Sequence, residues 1–156
     1  MNTRYCIMVV SIIAPLALAF PAHAQEKKIQ RADLPPAVQK TVDEQSKGAT
    51  VKGYSTEVED GKKTYEVELT VDGHSRDISM DGQGHVLEIE EETHITSLPA
   101  VVKDGLTKAA GAGTILKVET LTKNGKLVAY EAVVKTGTKN SEIQVGPDGK
   151  KLAHPE

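Results

Sequence analysis

Leu34-Pro35-Pro36-Ala37-Val38-Gln39-Lys40 returns 64 residues later as Leu98-Pro99-Ala100-Val101-Val102-Lys103-Asp104. The echo continues in order. Asp60-Gly61-Lys62 matches Asn124-Gly125-Lys126 at the same offset. Tyr65-Glu66-Val67 then matches Tyr130-Glu131-Ala132, Ile78 matches Ile143, Gly84 matches Gly149 and Leu87 matches Leu152, all at an offset of 65. One residue inserted just after the turn accounts for the step. Matches that keep one order along a whole unit identify an internal duplication.

Each copy reads alike. Leu-Pro opens a helix, because proline at the first helical position gives up no hydrogen bond and presets φ. Ala37, Val38, Val42 and Gln45 form one stripe before Gly48, and Val101, Val102, Leu106 and Ala109-Ala110 form another before Gly111 or Gly113. Glycine just past the last turn is a stop signal. Tyr65, Val67, Leu69 and Val71 alternate with Glu66, Glu68 and Thr70, which is the period of a half-buried strand. Val128, Tyr130, Ala132 and Val134 repeat that alternation, with Val133 on the outer side.

Further strands are predicted over Val51–Val58, Ser75–Met80 and His85–Ile89, and over Ile115–Thr122, Lys139–Val145 and Lys150–Ala153. Asp60-Gly61, Asp72-Gly73, Gln83-Gly84, Asn124-Gly125, Thr136-Gly137 and Asp148-Gly149 separate them. Asp-Gly and Asn-Gly are hairpin signals, since type I′ turns need positive φ. Short links make sequence neighbours antiparallel. The expected fold is α+β: two tandem units, each a short helix followed by a four-stranded antiparallel meander with the helix packed on one sheet face. The units are assigned to residues 25–93 and 94–156. The acidic stretch Glu88–Thr96 between them reads as a solvated strand end leading into a short linker.

The N-terminus has a different character. Met1–Tyr5 carries Arg4, Cys6–Phe20 is uncharged, and Ala22-His23-Ala24 places small residues before Gln25. A basic start, an apolar run and an Ala-x-Ala site make a cleavable secretory signal over residues 1–24. The apolar run is short of the ~20 residues that span a bilayer. Cleavage between Ala24 and Gln25 would release a soluble chain into the periplasm or medium.

That chain keeps no cysteine, so packing rather than disulfides must hold it together. Its aromatic residues are Tyr54, Tyr65 and Tyr130, and its arginines Arg31 and Arg76. With Arg4 gone, 18 basic groups face 22 acidic ones, a net charge of −4. This balance points away from nucleic acid and anionic membranes, which call for a basic face.

No catalytic constellation emerges. The chain has no Gly-x-Ser-x-Gly, phosphate loop or zinc-protease helix. His85 and Glu88 stand three apart with Asp81 nearby, but strand alternation sets them on opposite faces and a metal wants three or four convergent ligands. Asp81-Gly82-Gln83-Gly84 lacks the acid ladder of a calcium loop and reads as a hairpin. No catalytic, cofactor or metal residue is assigned. Glu66 and Glu68 share the wet face of one strand and Glu131 repeats Glu66, so these three mark a candidate partner-binding face. Tyr65 and Tyr130 run in phase with the core.

Leu34-Pro35, Val51 to Val58, Tyr65-Glu66-Val67-Glu68, Asp72-Gly73, Ile78-Ser79-Met80 and Gly84 to Leu87, with their counterparts Leu98-Pro99, Tyr130-Glu131-Ala132, Ile143-Gln144-Val145 and Asp148-Gly149, resemble the PepSY-like family, also described as beta-lactamase-inhibitor-like. The resemblance covers nearly the whole chain after the signal. Ala132 replaces the family's valine, and Gly137-Thr138 replaces its Asp-Gly turn. It implies a non-catalytic exported module, with roles suggested for such units in restraining secreted peptidases. The expectation is a binding module for a protein or peptide of the cell envelope, one that inhibits or modulates it. The alternative is a small-ligand or metal-ion binder, with its site in the cleft between the copies.

Overall fold

The computed structural model describes residues 26–59 and 61–156. The expected signal and its cleavage site lie outside them. The elements run β1 (Lys27–Ile29), α1 (Pro36–Gln45), β2 (Thr50–Glu59), β3 (Lys62–Val71), β4 (His74–Met80), β5 (Val86–Glu92), α2 (Ala100–Ala110), β6 (Thr114–Lys123), β7 (Lys126–Thr136) and β8 (Lys139–Val145). Single 3-10 turns at Arg31–Asp33 and Ile95–Ser97 precede the helices. All eight strands form one antiparallel sheet in sequence order.

The repeat differs from the expected unit in one respect. β1 pairs with β2 through Lys27↔Thr56 and Lys28↔Ser55. Adding 64 to each number gives Glu91↔Thr120 and Glu92↔Glu119, two pairs by which β5 joins β6. Each copy is therefore a leading strand, a helix and three further strands. β5 is the return strand of the first copy and the leading strand of the second. In the second copy the run predicted over Lys150–Ala153 makes, among the described residues, only the bridge Val145↔Lys151. The expected linker at Glu88–Thr96 begins as paired strand, and the sheet crosses the boundary unbroken.

Both helices lie on the same side of the sheet, each over its own apolar cluster. Val38 and Val42 of α1 meet Val67, Leu69, Ile78 and Met80. Val102 and Leu106 of α2 meet Val118, Ala132, Val134 and Val145. Tyr65 and Tyr130 are buried in these clusters as their phase predicts. Val101 is 51% exposed and not part of the α2 stripe. Pro35 and Pro99 cap the helices one position ahead of where they were predicted. On the helix side of the junction, Arg76 and Glu91 form an ion pair at 3.0 Å.

The repeated glycine sets the distance between helix and sheet. Gly84 has φ +78, and a Cβ there would sit 2.6 Å from the Ala37 carbonyl oxygen. Thr41 Oγ1 donates to the Gly84 carbonyl at 2.8 Å. Gly149 likewise abuts the Val101 carbonyl, and Gly105 stands where the first copy has Thr41. Each helix therefore presses its first turns onto the last hairpin of its own copy. A side chain at either glycine would push them apart.

Val67 and Ala132 are strand positions almost wholly enclosed beneath the helices. A charge left there without a partner forfeits its hydration. Val67→Asp and Ala132→Asp are each expected to lower the unfolding free energy by about 3 kcal/mol or more in urea melts. A loss below about 1 kcal/mol at either position would mean that its strand is turned the other way.

Candidate functional site

The opposite face of the sheet carries no covering element among the described residues. Strand alternation and the pairing register assign its side chains. One row runs Gly53, Glu68, Asp77, Glu90, Leu121 and Ala129 across β2 to β7. A second runs Glu92, Glu119, Glu131 and Gln144 across β5 to β8, with Ser75 continuing it onto β4 through bonds to Glu92. A third runs Ser55, Glu66, Ser79, Glu88 and Lys123. The C-terminal tail reaches one margin, where the Glu156 N–H donates to Gln144 Oε1 at 2.8 Å.

Glu66, Glu68 and Glu131 do share this face, as the alternation predicts. They are less wet than expected. Glu66 and Glu68 are half-buried, and Glu131 is only 9% exposed. The neighbouring strands add acids that the reading of single strands left out. Glu90 was placed on a solvated strand end, yet it is half-buried at the middle of the face. Asp77, Glu92 and Glu119 stand beside it.

Four carboxylate pairs directly oppose each other across strands: Glu68 with Asp77, Asp77 with Glu90, Glu92 with Glu119, and Glu119 with Glu131. Cross-strand like charges destabilise a sheet. Two carboxylates 5 Å apart repel by about 3 kcal/mol at an effective dielectric of about 20. Asp77, Glu90 and Glu119 bring one oxygen each to within 4.8 Å of one another. Glu119 is 4% exposed. Its Oε1 lies 2.6 Å from Lys117 Nζ and has no other partner among the described residues.

The face responds by holding protons. Burial, and then the charges of Asp77, Glu26, Glu68 and Glu57, push the Glu66 carboxyl up to about 7. Burial, and then Glu131, Glu119 and Glu88, push Glu90 up to about 8. Burial raises Asp77 against the pull of Lys117. Burial raises Glu131 against the hydrogen bond from Gln144 Nε2, at 2.8 Å. Lys117 is held above its ordinary value: burial would lower it, but Glu119, Asp77 and Glu92 outweigh that.

The histidines take other places. Asp81 Oδ1 accepts from the Gln83 and His85 backbone N–H groups, and Asp81 Oδ2 lies 2.9 Å from His85 Nδ1. The Asp81–Gly84 segment is thus a closed turn, as expected. His74 and His94 meet edge to face at 5.0 Å, and His74 Nδ1 is 3.9 Å from Glu92 Oε1. Among the described residues no cleft separates the copies, since β5 and β6 are hydrogen-bonded neighbours. The cleft expected for a small ligand is replaced by continuous sheet.

Known structures share this fold. A BLIP-like protein from Bacteroides fragilis superposes with a TM-score of 0.56 at 20% identity, over 76% of this chain and 83% of its own. A DUF2874 family protein from Bacteroides ovatus gives 0.59 at 16%, over 77% and 86%. A protein from Bacteroides eggerthii assigned to the periplasm gives 0.61 at 15%, over 76% and 86%. No family model matches the sequence, and no curated protein does. The chain has a BLIP-like fold, and these neighbours carry no catalytic assignment.

The raised carboxyls fix how stability follows pH. A carboxyl held above its unfolded value binds more protons when folded, so its contribution is complete below the unfolded pKa of about 4.5 and fades through the folded one. For Glu66 and Glu90 the loss runs from about 4.5 to about 7 and about 8. Asp81 and Glu92 are held below their ordinary values and favour the fold as pH rises through the acid range. The melting temperature should peak near pH 5 and fall toward pH 8, and Glu90→Gln should flatten the fall. Calorimetric scans across this range that rise toward pH 8 would contradict the assignment.

Proposed function

We propose that this chain is an exported, non-catalytic binding module of two structural units, and that its open sheet face engages a protein or peptide of the cell envelope. The observation that carries this reading is the placement of eight carboxylates in the three rows of one face that has no covering element among the described residues. Acids from both units meet there at the β5–β6 junction. Charge of one sign on a rigid surface steers and selects an oppositely charged partner. A fold held by strand pairing across the junction also keeps that surface in one shape, which lowers the ordering cost of association.

The leader-like N-terminus and the neighbour assigned to the periplasm support export. The BLIP-like neighbour supports a role in protein binding rather than chemistry. Inhibition or modulation of the bound protein, as suggested for the PepSY-like group and its peptidases, fits a face of this breadth. A metal-ion binder is the second reading, favoured by the Asp77, Glu90 and Glu119 oxygens. The Lys117 ammonium beside Glu119 already supplies a cation there.

A photo-crosslinking residue placed at Ser79 or Thr70 on the face, and at Lys103 on α2, tests the reading in envelope extract. Adducts are expected from the face positions and should disappear with Glu68→Lys and Glu131→Lys together. Adducts from Lys103 alone would assign binding to the helices instead.

A further inference from the structure

The two copies share a backbone but differ in charge on the open face. Lys28 opposite Ser55 in the first copy corresponds to Glu92 opposite Glu119 at the junction. The fold therefore accepts a neutral or basic pair at this register. The acids at the junction are not required by the sheet, and they oppose it. They are joined there by Asp77 and Glu90, which face each other between β4 and β5.

The species the face already accommodates is an alkylammonium. Lys117 Nζ lies 2.6 Å from Glu119 Oε1. Its proton is held by Glu119, Asp77 and Glu92 from three different strands. One lysine cannot serve the whole face, because the Glu68–Asp77–Glu90 row continues away from it over three further strands. Strands recur every ~4.8 Å, so opposed carboxylates form a ladder rather than a single point site. A ladder of anions on an open surface matches a chain bearing several cations better than one metal ion.

We propose that the junction of the open face receives a lysine- or arginine-rich extended segment of a partner protein, whose cations lie between the opposed carboxylates of β3 to β7 as Lys117 does now. This names the partner chemistry of the face assigned above and rests on that assignment. The groups facing the central Glu90 are Glu88 on its own strand, Asp77 on β4, Glu119 on β6 and Glu131 on β7, with Lys123 opposite Glu88. Those facing Glu66 are Glu57, Glu68, Asp77 and Glu26. A guest cation favours the ionised form of each carboxyl it meets. Capture of the segment therefore releases protons, and affinity rises with pH between 6 and 8.

The test titrates the chain from Gln25 onward with oligolysine, and with an uncharged Gly-Ser peptide of equal length, in buffers of different ionisation enthalpy. Oligolysine should bind and the Gly-Ser peptide should not. Roughly one proton should leave per complex near pH 7. Affinity should fall about fivefold or more between 50 and 300 mM salt, as screening shortens. Asp77→Asn with Glu90→Gln should weaken binding about tenfold, whereas Glu44→Gln on α1 should leave it unchanged.

Lys117→Met, which vacates the resident ammonium, should tighten binding; the Asp77 and Glu90 pair decides the matter if this variant does not fold. Equal affinity of oligolysine for wild type and the Asp77→Asn, Glu90→Gln variant would overturn the proposal. So would calcium ions that bind at Asp77, Glu90 and Glu119 and resist displacement by oligolysine. Failure of oligolysine to bind, with crosslinked adducts still forming from Ser79, would remove the cationic segment and leave the binding-module reading standing. Adducts from α2 alone would remove both.

Discussion

Strand β5 has two edges, and both are used. One closes the first copy against β4 and the other opens the second copy against β6. That double use joins two helix-and-strand segments into one sheet and places both helices on one side of it. Among the described residues, no element covers the other side. A copy of about 60 residues buries too little surface to be robust alone. Hydrogen bonding across β5–β6 joins two small cores that do not otherwise merge, since the clusters beneath α1 and α2 are distinct.

The same junction concentrates charge. Strand β5 is shared by both segments: Glu90 opposes Asp77 of β4 and Glu92 opposes Glu119 of β6, while Glu88 lies between Ser79 and Lys123. The resulting repulsion is relieved in two ways within the chain. Lys117 and Lys123 supply cations beside Glu119 and Glu88, and Glu66 and Glu90 hold protons at pH values where carboxyls are ordinarily ionised. Both are partial, so the face retains a capacity for further positive charge. Whatever neutralises the face also steadies the junction.

Much of the fold was legible in the sequence. Seven strands, both helices and the Asp-Gly and Asn-Gly turns follow from alternation, stripes and turn chemistry, and Asp72, Gly73, Asn124 and Gly125 have the positive φ that such turns need. β1 was missed because Lys27, Lys28 and Ile29 are too few to show a period. Only its match to Glu91–Thr93 at the repeat offset could have revealed it. The candidate site was legible in part. Alternation within β3 assigned Glu66 and Glu68 to the open face, but it carries no information about which strands lie beside it. The gathering of Asp77, Glu90 and Glu119 depends on the β4–β5 and β5–β6 registers, and the β5 strand was expected to end at Ile89, short of the pairs that matter.

The central claim is that carboxylates crowd the junction faster than the chain's own cations neutralise them. The most direct measurement is a carbon-13 NMR titration of the glutamate side-chain carboxyls. Glu90 should titrate near pH 8 and Glu66 near pH 7, well above the ordinary carboxylate range. Midpoints for Glu90 and Glu66 near the ordinary value of about 4.3 would contradict the account, because the opposed carboxylates would then be compensated already.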